Sequence, residues 1–98
     1  MKLPFKFERE VRDIIKISNK YIVIFAFEEF SSHESARNMS AYDEMGNEIW
    51  TAELQSDLVT EAWTNFVSND PLKVSNFSGY CATLDPNTGK ILEFEETR

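Results

Sequence analysis

Ninety-eight residues suffice for one domain with a modest core and exclude a multidomain enzyme. Ten Lys and Arg against seventeen Asp and Glu give a formal charge of −7, and no Lys/Arg-rich tract offsets it, so nucleic acid and anionic lipid are excluded as partners. Cys81 is the one cysteine and rules out an intrachain disulfide. In chain order, the N-terminus Met1-Lys2-Leu3-Pro4-Phe5-Lys6 lacks the apolar run of a secretion signal. The longest apolar run, Tyr21 to Phe27, is too short for a membrane-crossing helix. These features place the expected protein in the cytoplasm.

Helix signals are scarce. Most segments are five to eight residues long, rich in β-branched and aromatic residues, and bounded by Asn, Asp, Gly, Pro or Ser. Val11 to Ser18 is the first expected strand, with Val11, Ile15 and Ile17 on one face, followed by a tight turn at Asn19-Lys20. Tyr21 to Phe27 is apolar on both faces and reads as a central, doubly buried strand. Glu28 to Ala36 is polar loop. Arg37 to Asp43 is a strand with Met39 and Ala41 opposite Tyr42. Asp43 to Asn47 turns the chain, with Gly46 supplying the positive φ, and Glu48 to Glu53 returns it with Ile49 and Trp50.

Gln55 to Thr60 reads as a loop. Glu61 to Ser68 has a composition open to a short helix, but Trp63, Thr64, Phe66 and Val67 favour a strand. Asn69-Asp70-Pro71 is a turn. Leu72 to Phe77 alternates, with Leu72 and Val74 on one face. After Ser78-Gly79 come the strand Tyr80 to Leu84, the strong turn Asp85-Pro86-Asn87-Thr88-Gly89, and the strand Lys90 to Glu95.

Two passages share a pattern: a strand ending at Asp43, a turn with Gly46 and a strand with Ile49-Trp50; then a strand ending at Asp85, a turn with Gly89 and a strand with Ile91-Leu92. The expected fold is therefore all-β, in one domain of two repeats, roughly 8–54 and 60–96. Leu84-Asp85-Pro86-Asn87-Thr88-Gly89-Lys90 resembles the outer hairpin of a quinoprotein-like β-propeller blade, and Ala41 to Trp50 resembles it more loosely. That resemblance implies blade-like hairpins and no particular activity. Two blades cannot close a ring. The expectation is that about eight antiparallel strands, in two four-stranded units, bury their apolar faces on each other as a β-sandwich or flattened barrel.

Candidate chemistry is sparse. Ser31-Ser32-His33-Glu34 contains the single histidine, but neighbours on an extended chain point apart and do not converge as an acyl-transfer set. One Cys and one His do not make a soft-ligand zinc site, and no calcium loop or phosphate-cradling glycine loop appears. No cofactor or metal is expected. Asn38-Met39-Ser40 and Asn76-Phe77-Ser78 fit the glycosylation pattern by chance. Cys81 has no basic neighbour in sequence and reads as a packed thiol.

What remains is a binding surface. Glu28, Glu29, Phe30, His33 and Glu34 form one acidic group around an aromatic; Asp57, Glu61 and Trp63 form a second. An aromatic anchor ringed by carboxylates suits a basic protein partner. The competing reading for Trp63, and for Phe30, is that the ring belongs to the core. Size, solitary-domain form, acidity and the absence of catalytic groups resemble the small bacterial immunity proteins of contact-dependent growth inhibition and other polymorphic toxin systems. That resemblance implies a non-enzymatic protein, monomeric or weakly dimeric, that occludes the basic cleft of a nuclease-type toxin. The alternative is a propeller-like module binding a small ligand or carbohydrate between its sheets, with Trp50, Trp63 or Tyr80 as lining; burial of these rings against each other would remove that site.

Overall fold

The computed structural model describes residues 6–7, 9–26, 37–52, 62–76 and 79–96. Eight strands follow one another: β1 (Val11–Ile17), β2 (Lys20–Phe25), β3 (Met39–Tyr42), β4 (Glu48–Thr51), β5 (Trp63–Asn69), β6 (Leu72–Asn76), β7 (Tyr80–Leu84) and β8 (Ile91–Glu96). They form two four-stranded antiparallel meanders, β1-β2-β3-β4 and β5-β6-β7-β8. No α-helix occurs among the described residues, so none crosses a membrane. The all-β, two-sheet expectation is what the chain adopts, and the segment from Glu61 resolves as strand from Trp63 onward.

The core follows from period-two alternation. Ile22, Ile24, Met39, Ala41, Trp50 and Ala52 of the first sheet meet Trp63, Leu72, Val74, Ala82 and Leu84 of the second in one buried cluster. The central strand β2 is buried on both faces, because Tyr21, Val23 and Phe25 form a smaller cluster on the outer side of the first sheet, with Phe7, Val11, Ile14 and Tyr42 packed against it.

Two bulges redirect side chains that simple alternation misplaces. Val11 pairs with Phe25 but Asp13 with Ile24, so Arg12 is an extra residue in β1. Val11 therefore joins Ile14 on the outer face, while Ile15 and Ile17 face the core; the expectation that all three share a face is corrected. In β8, Leu84 pairs with Ile91 and Thr83 with Glu93, leaving Leu92 as the extra residue. Ile91 and Phe94 can then both pack on the core, while Leu92 is 62% exposed. The β1–β2 turn also moves by one residue: Ile17 pairs with Lys20, so the loop is Ser18-Asn19, with Ser18 at φ 55°.

Polar contacts among the described residues also fasten the sheets together. The fully buried Asn38 donates its amide to the carbonyls of Phe25 (2.9 Å) and Trp63 (2.8 Å) and accepts the N–H of Trp63 (2.9 Å). Its side chain thus pairs with Trp63 as a neighbouring strand would. Asp13 takes the N–H of Ile14 on one carboxylate oxygen (2.9 Å) and that of Phe66 on the other (3.0 Å), joining β1 to β5. The Trp50 indole donates to the Pro86 carbonyl (2.9 Å). Beneath that indole lies Gly89, at φ 76°, where an added Cβ would sit 2.4 Å from the ring. Asn76 is also buried, and its side-chain oxygen accepts the N–H of Tyr80 (3.0 Å). Both glycosylation-like asparagines are therefore held by backbone and turned away from solvent.

Asn38→Ala strands three backbone groups in the interior, and should cost about 3 kcal/mol or more in urea unfolding, since each unsatisfied buried group costs about 1–3 kcal/mol. Gly89→Ala should lower stability by about 1–3 kcal/mol through backbone strain and displacement of the indole, with a matching change in Trp fluorescence.

Candidate functional site

Glu28, Glu29, Phe30, His33, Glu34, Asp57 and Glu61 lie outside the described residues. Trp63 is described, and it is core: 1% exposed, at the head of β5, with its backbone clamped by Asn38. An exposed-anchor role for Trp63 is thereby corrected, because the facing sheets enclose its ring. Its indole nitrogen is buried with no hydrogen-bond partner among the described residues. Trp50 and Trp63 together fill space between the sheets, and Tyr80 stacks on Phe94 at 5.0 Å between centroids. The aromatics considered as lining for an inter-sheet ligand are used as packing.

The concavity with convergent polar groups lies instead on the outer face of the first sheet. Outward alternation sets Tyr21 of β2 opposite Tyr42 of β3 and Val23 opposite Ser40, with Phe25 next in the outward row, and β4 places Thr51 opposite Ser40 and Glu48 opposite Tyr42. The polar row is connected: Thr51 donates to a Glu48 carboxylate oxygen (2.6 Å), Ser40 and Thr51 hydroxyls are 3.1 Å apart, and Tyr42 is hydrogen-bonded to Ser40. Phe7, from the segment before β1, lies edge-on to Phe25 (5.1 Å) and tilted against Tyr42 (4.8 Å). Two adjoining hollows result. One, of about 350 Å³, is lined by Arg9, Arg37, Ser40, Glu48 and Thr51 with Phe25 and Tyr42. The other, of about 320 Å³, shares Arg9, Phe25 and Tyr42 and adds Lys6 and Phe7.

Among the described residues, the trough's lining carries three cations, Lys6, Arg9 and Arg37, and one carboxylate, Glu48. Net charge concealed this: residues 1–20 hold six Lys and Arg against three Asp and Glu, a local +3, and the remaining 78 residues hold four against fourteen, a local −10. No Lys/Arg-rich tract is needed for this local excess, and a charge tally by segment is the signal that finds it.

Acid concentrates elsewhere. Within 62–96, five Asp and Glu oppose two Lys. β8 is an end strand of its sheet, with Glu93 and Glu95 exposed, Leu92 projecting at its bulge, and Lys73 3.9 Å from Glu95. A recess of about 530 Å³ lies where Lys16, Ser18, Asp70, Pro71, Thr83 and Leu92 meet at the hairpin tips.

The hairpin aspartates are occupied structurally. Asp43 accepts the N–H groups of Met45 and Asn47 (2.9 Å each), and the Asn47 contact leads in holding its carboxyl below the usual range. Asp85 accepts the N–H of Asn87 (2.9 Å) in the second hairpin. Among the described residues no three His, Cys, Asp or Glu side chains cluster as metal ligands. Burial pushes the Cys81 thiol up, which disfavours the thiolate. Burial likewise raises the Tyr42 phenol, helped by the Glu48 carboxylate and opposed by Ser40 and Arg9.

In comparisons with known proteins, the family described as Domain of unknown function (DUF7957) matches residues 3–96. No curated protein matches the chain.

The raised Tyr42 value carries a defined pH dependence. The folded chain holds this proton more firmly than the unfolded chain does. The associated stability is therefore complete below the unfolded value near 10 and is lost as pH rises through the higher folded value. Urea midpoints measured from about pH 9 upward should fall more steeply in the native protein than in Tyr42→Phe; parallel curves would refute the assignment.

Proposed function

Because the chain belongs to the DUF7957 family, whose description assigns no activity, we propose from its own residues that it is a non-enzymatic binding protein. Specifically, it is an immunity protein that neutralises a cognate nuclease-type toxin by covering the toxin's basic active-site cleft. The observation that carries this reading is the segregation of charge: a net −10 over the 78 residues after Lys20, within a total of −7. A nuclease cleft is positive because it attracts phosphate, and a carboxylate-rich surface competes for the same field.

Two acidic regions supply that surface. One is the sequence group Glu28, Glu29, Phe30, His33 and Glu34, with Asp57 and Glu61 further along. The other is β8, where the exposed Leu92 stands beside Glu93 and Glu95. An apolar knob among carboxylates is the arrangement expected of an anchor in a polar rim. An end strand bearing like charges resists pairing with its own copy and favours a basic partner. The protein acts in the cytoplasm as a monomer or weak dimer, with one copy engaging one toxin domain.

The test is co-expression with each basic toxin domain that a neighbouring gene encodes. Rescue of growth and co-elution as a one-to-one complex are expected. Absence of both rescue and complex formation rejects the immunity reading. In the complex, replacing Glu28, Glu29 and Glu34 together by Lys should slow association about tenfold or more and weaken its dependence on salt, as loss of electrostatic steering requires.

A further inference from the structure

We infer that the trough on the outer face of the first sheet is a binding site for a small planar organic anion, a carboxylate or phosphate carried on a flat apolar ring. The site lies on the first sheet, apart from the acidic strand β8 of the second. Three features of the trough converge on this ligand chemistry.

The first is charge. Among the described residues, Lys6, Arg9 and Arg37 line the two hollows, and Glu48 is the one carboxylate. They come from two chain segments separated by β1 and β2, so their meeting is a product of the fold. Arg9 and Arg37 are exposed at the rim, where guanidinium groups can reach an entering anion and grip it with paired N–H donors.

The second is the floor. Phe25 and Tyr42 line both hollows and Phe7 the second, with ring centroids between 4.8 and 6.4 Å apart and Phe25 edge-on to the other two. An aromatic ligand packed against these edges and faces exchanges water for aromatic contact, and the adjacent guanidinium groups keep the anion at the solvent edge.

The third is the hydrogen-bonding wall. Thr51 commits its one hydroxyl proton to Glu48, and the Ser40 hydroxyl lies 3.1 Å from that of Thr51. Glu48 remains a charged acceptor held by Thr51, and the Ser40 hydroxyl is the wall's further hydrogen-bonding group. The volumes, about 350 and 320 Å³, are those of small-molecule sites and too small for a folded partner.

Amide NMR titration of the full chain tests the site with three probes: phenyl phosphate, inorganic phosphate and benzyl alcohol. Phenyl phosphate should give saturable shifts at Ser40, Tyr42 and Thr51, and should bind about tenfold or more tightly than either other probe, because only it engages both rings and cations. Arg37→Gln should weaken phenyl phosphate about tenfold, the scale of one lost charge-assisted contact. Lys90→Gln, on the second unit, should leave the affinity unchanged. The amide spectrum itself reports that each variant is folded, and added salt, which needs no variant, should weaken phenyl phosphate in the native chain. Four results overturn the inference: no saturable shifts; shifts confined to residues outside the trough; equal affinity for either partial probe; or an affinity indifferent to both salt and Arg37→Gln. Loss of toxin binding with phenyl phosphate binding intact would reject the immunity reading and leave this site standing.

Discussion

One side-chain amide holds the two halves in register. Asn38 sits just before β3 yet pairs with the N–H and C=O of Trp63 at the head of β5 while also capturing the carbonyl of Phe25 at the end of β2. A sandwich needs its sheets to meet at a fixed height, and apolar contacts alone are non-directional. Three buried hydrogen bonds from one fully enclosed residue supply the direction. Asp13 makes the second fastening through the N–H of Phe66, and Trp50 the third through Pro86. Burial of Trp50 and Trp63 between the sheets depends on these fastenings, because each indole needs the opposite sheet at the right distance.

The inner and outer faces of the first sheet divide the work. Its inner face supplies half the core; its outer face carries the aromatic cluster, the hydroxyl row and the cations. The outer side of the second unit is polar, with Thr64 and Ser75 hydroxyls 3.0 Å apart and the Lys73–Glu95 pair. One small domain thus presents a positive aromatic hollow and a negative strand. Opposite charges displayed on separate surfaces suit two different kinds of ligand, and the net charge of −7 describes neither surface by itself.

Much of the architecture was legible because it rests on local rules. The apolar run from Tyr21, the alternation of Leu72 and Val74, and the Asp-to-Gly turns at 43–46 and 85–89 each name their own structure. Bulges were not legible. Counting by twos from Val11 assumes an unbroken ladder, and nothing in the letters around Arg12 or Leu92 announces an extra residue. Asn38 was equally silent: inside the expected strand Arg37 to Asp43 nothing marks its side chain out, and only the arrival of Trp63, 25 positions later, makes its amide structural. The trough was hidden for a related reason. Its described lining comes from positions 6, 7, 9, 25, 37, 40, 42, 48 and 51, brought together by pairing across three strands, and a whole-chain charge cannot reveal a local reversal.

The bulges have a consequence for aligning members of this family. Arg12 and Leu92 are each one unit of length that the opposite strand does not match. Deleting either would leave every loop intact and exchange the inward and outward sets of the residues on one side of it, so that Val11 or Ile91 would point the wrong way. A one-position gap placed there marks a change of strand geometry, whereas the same gap moved into a neighbouring turn, for the sake of a better letter match, would pair interior positions with surface ones along the rest of the strand.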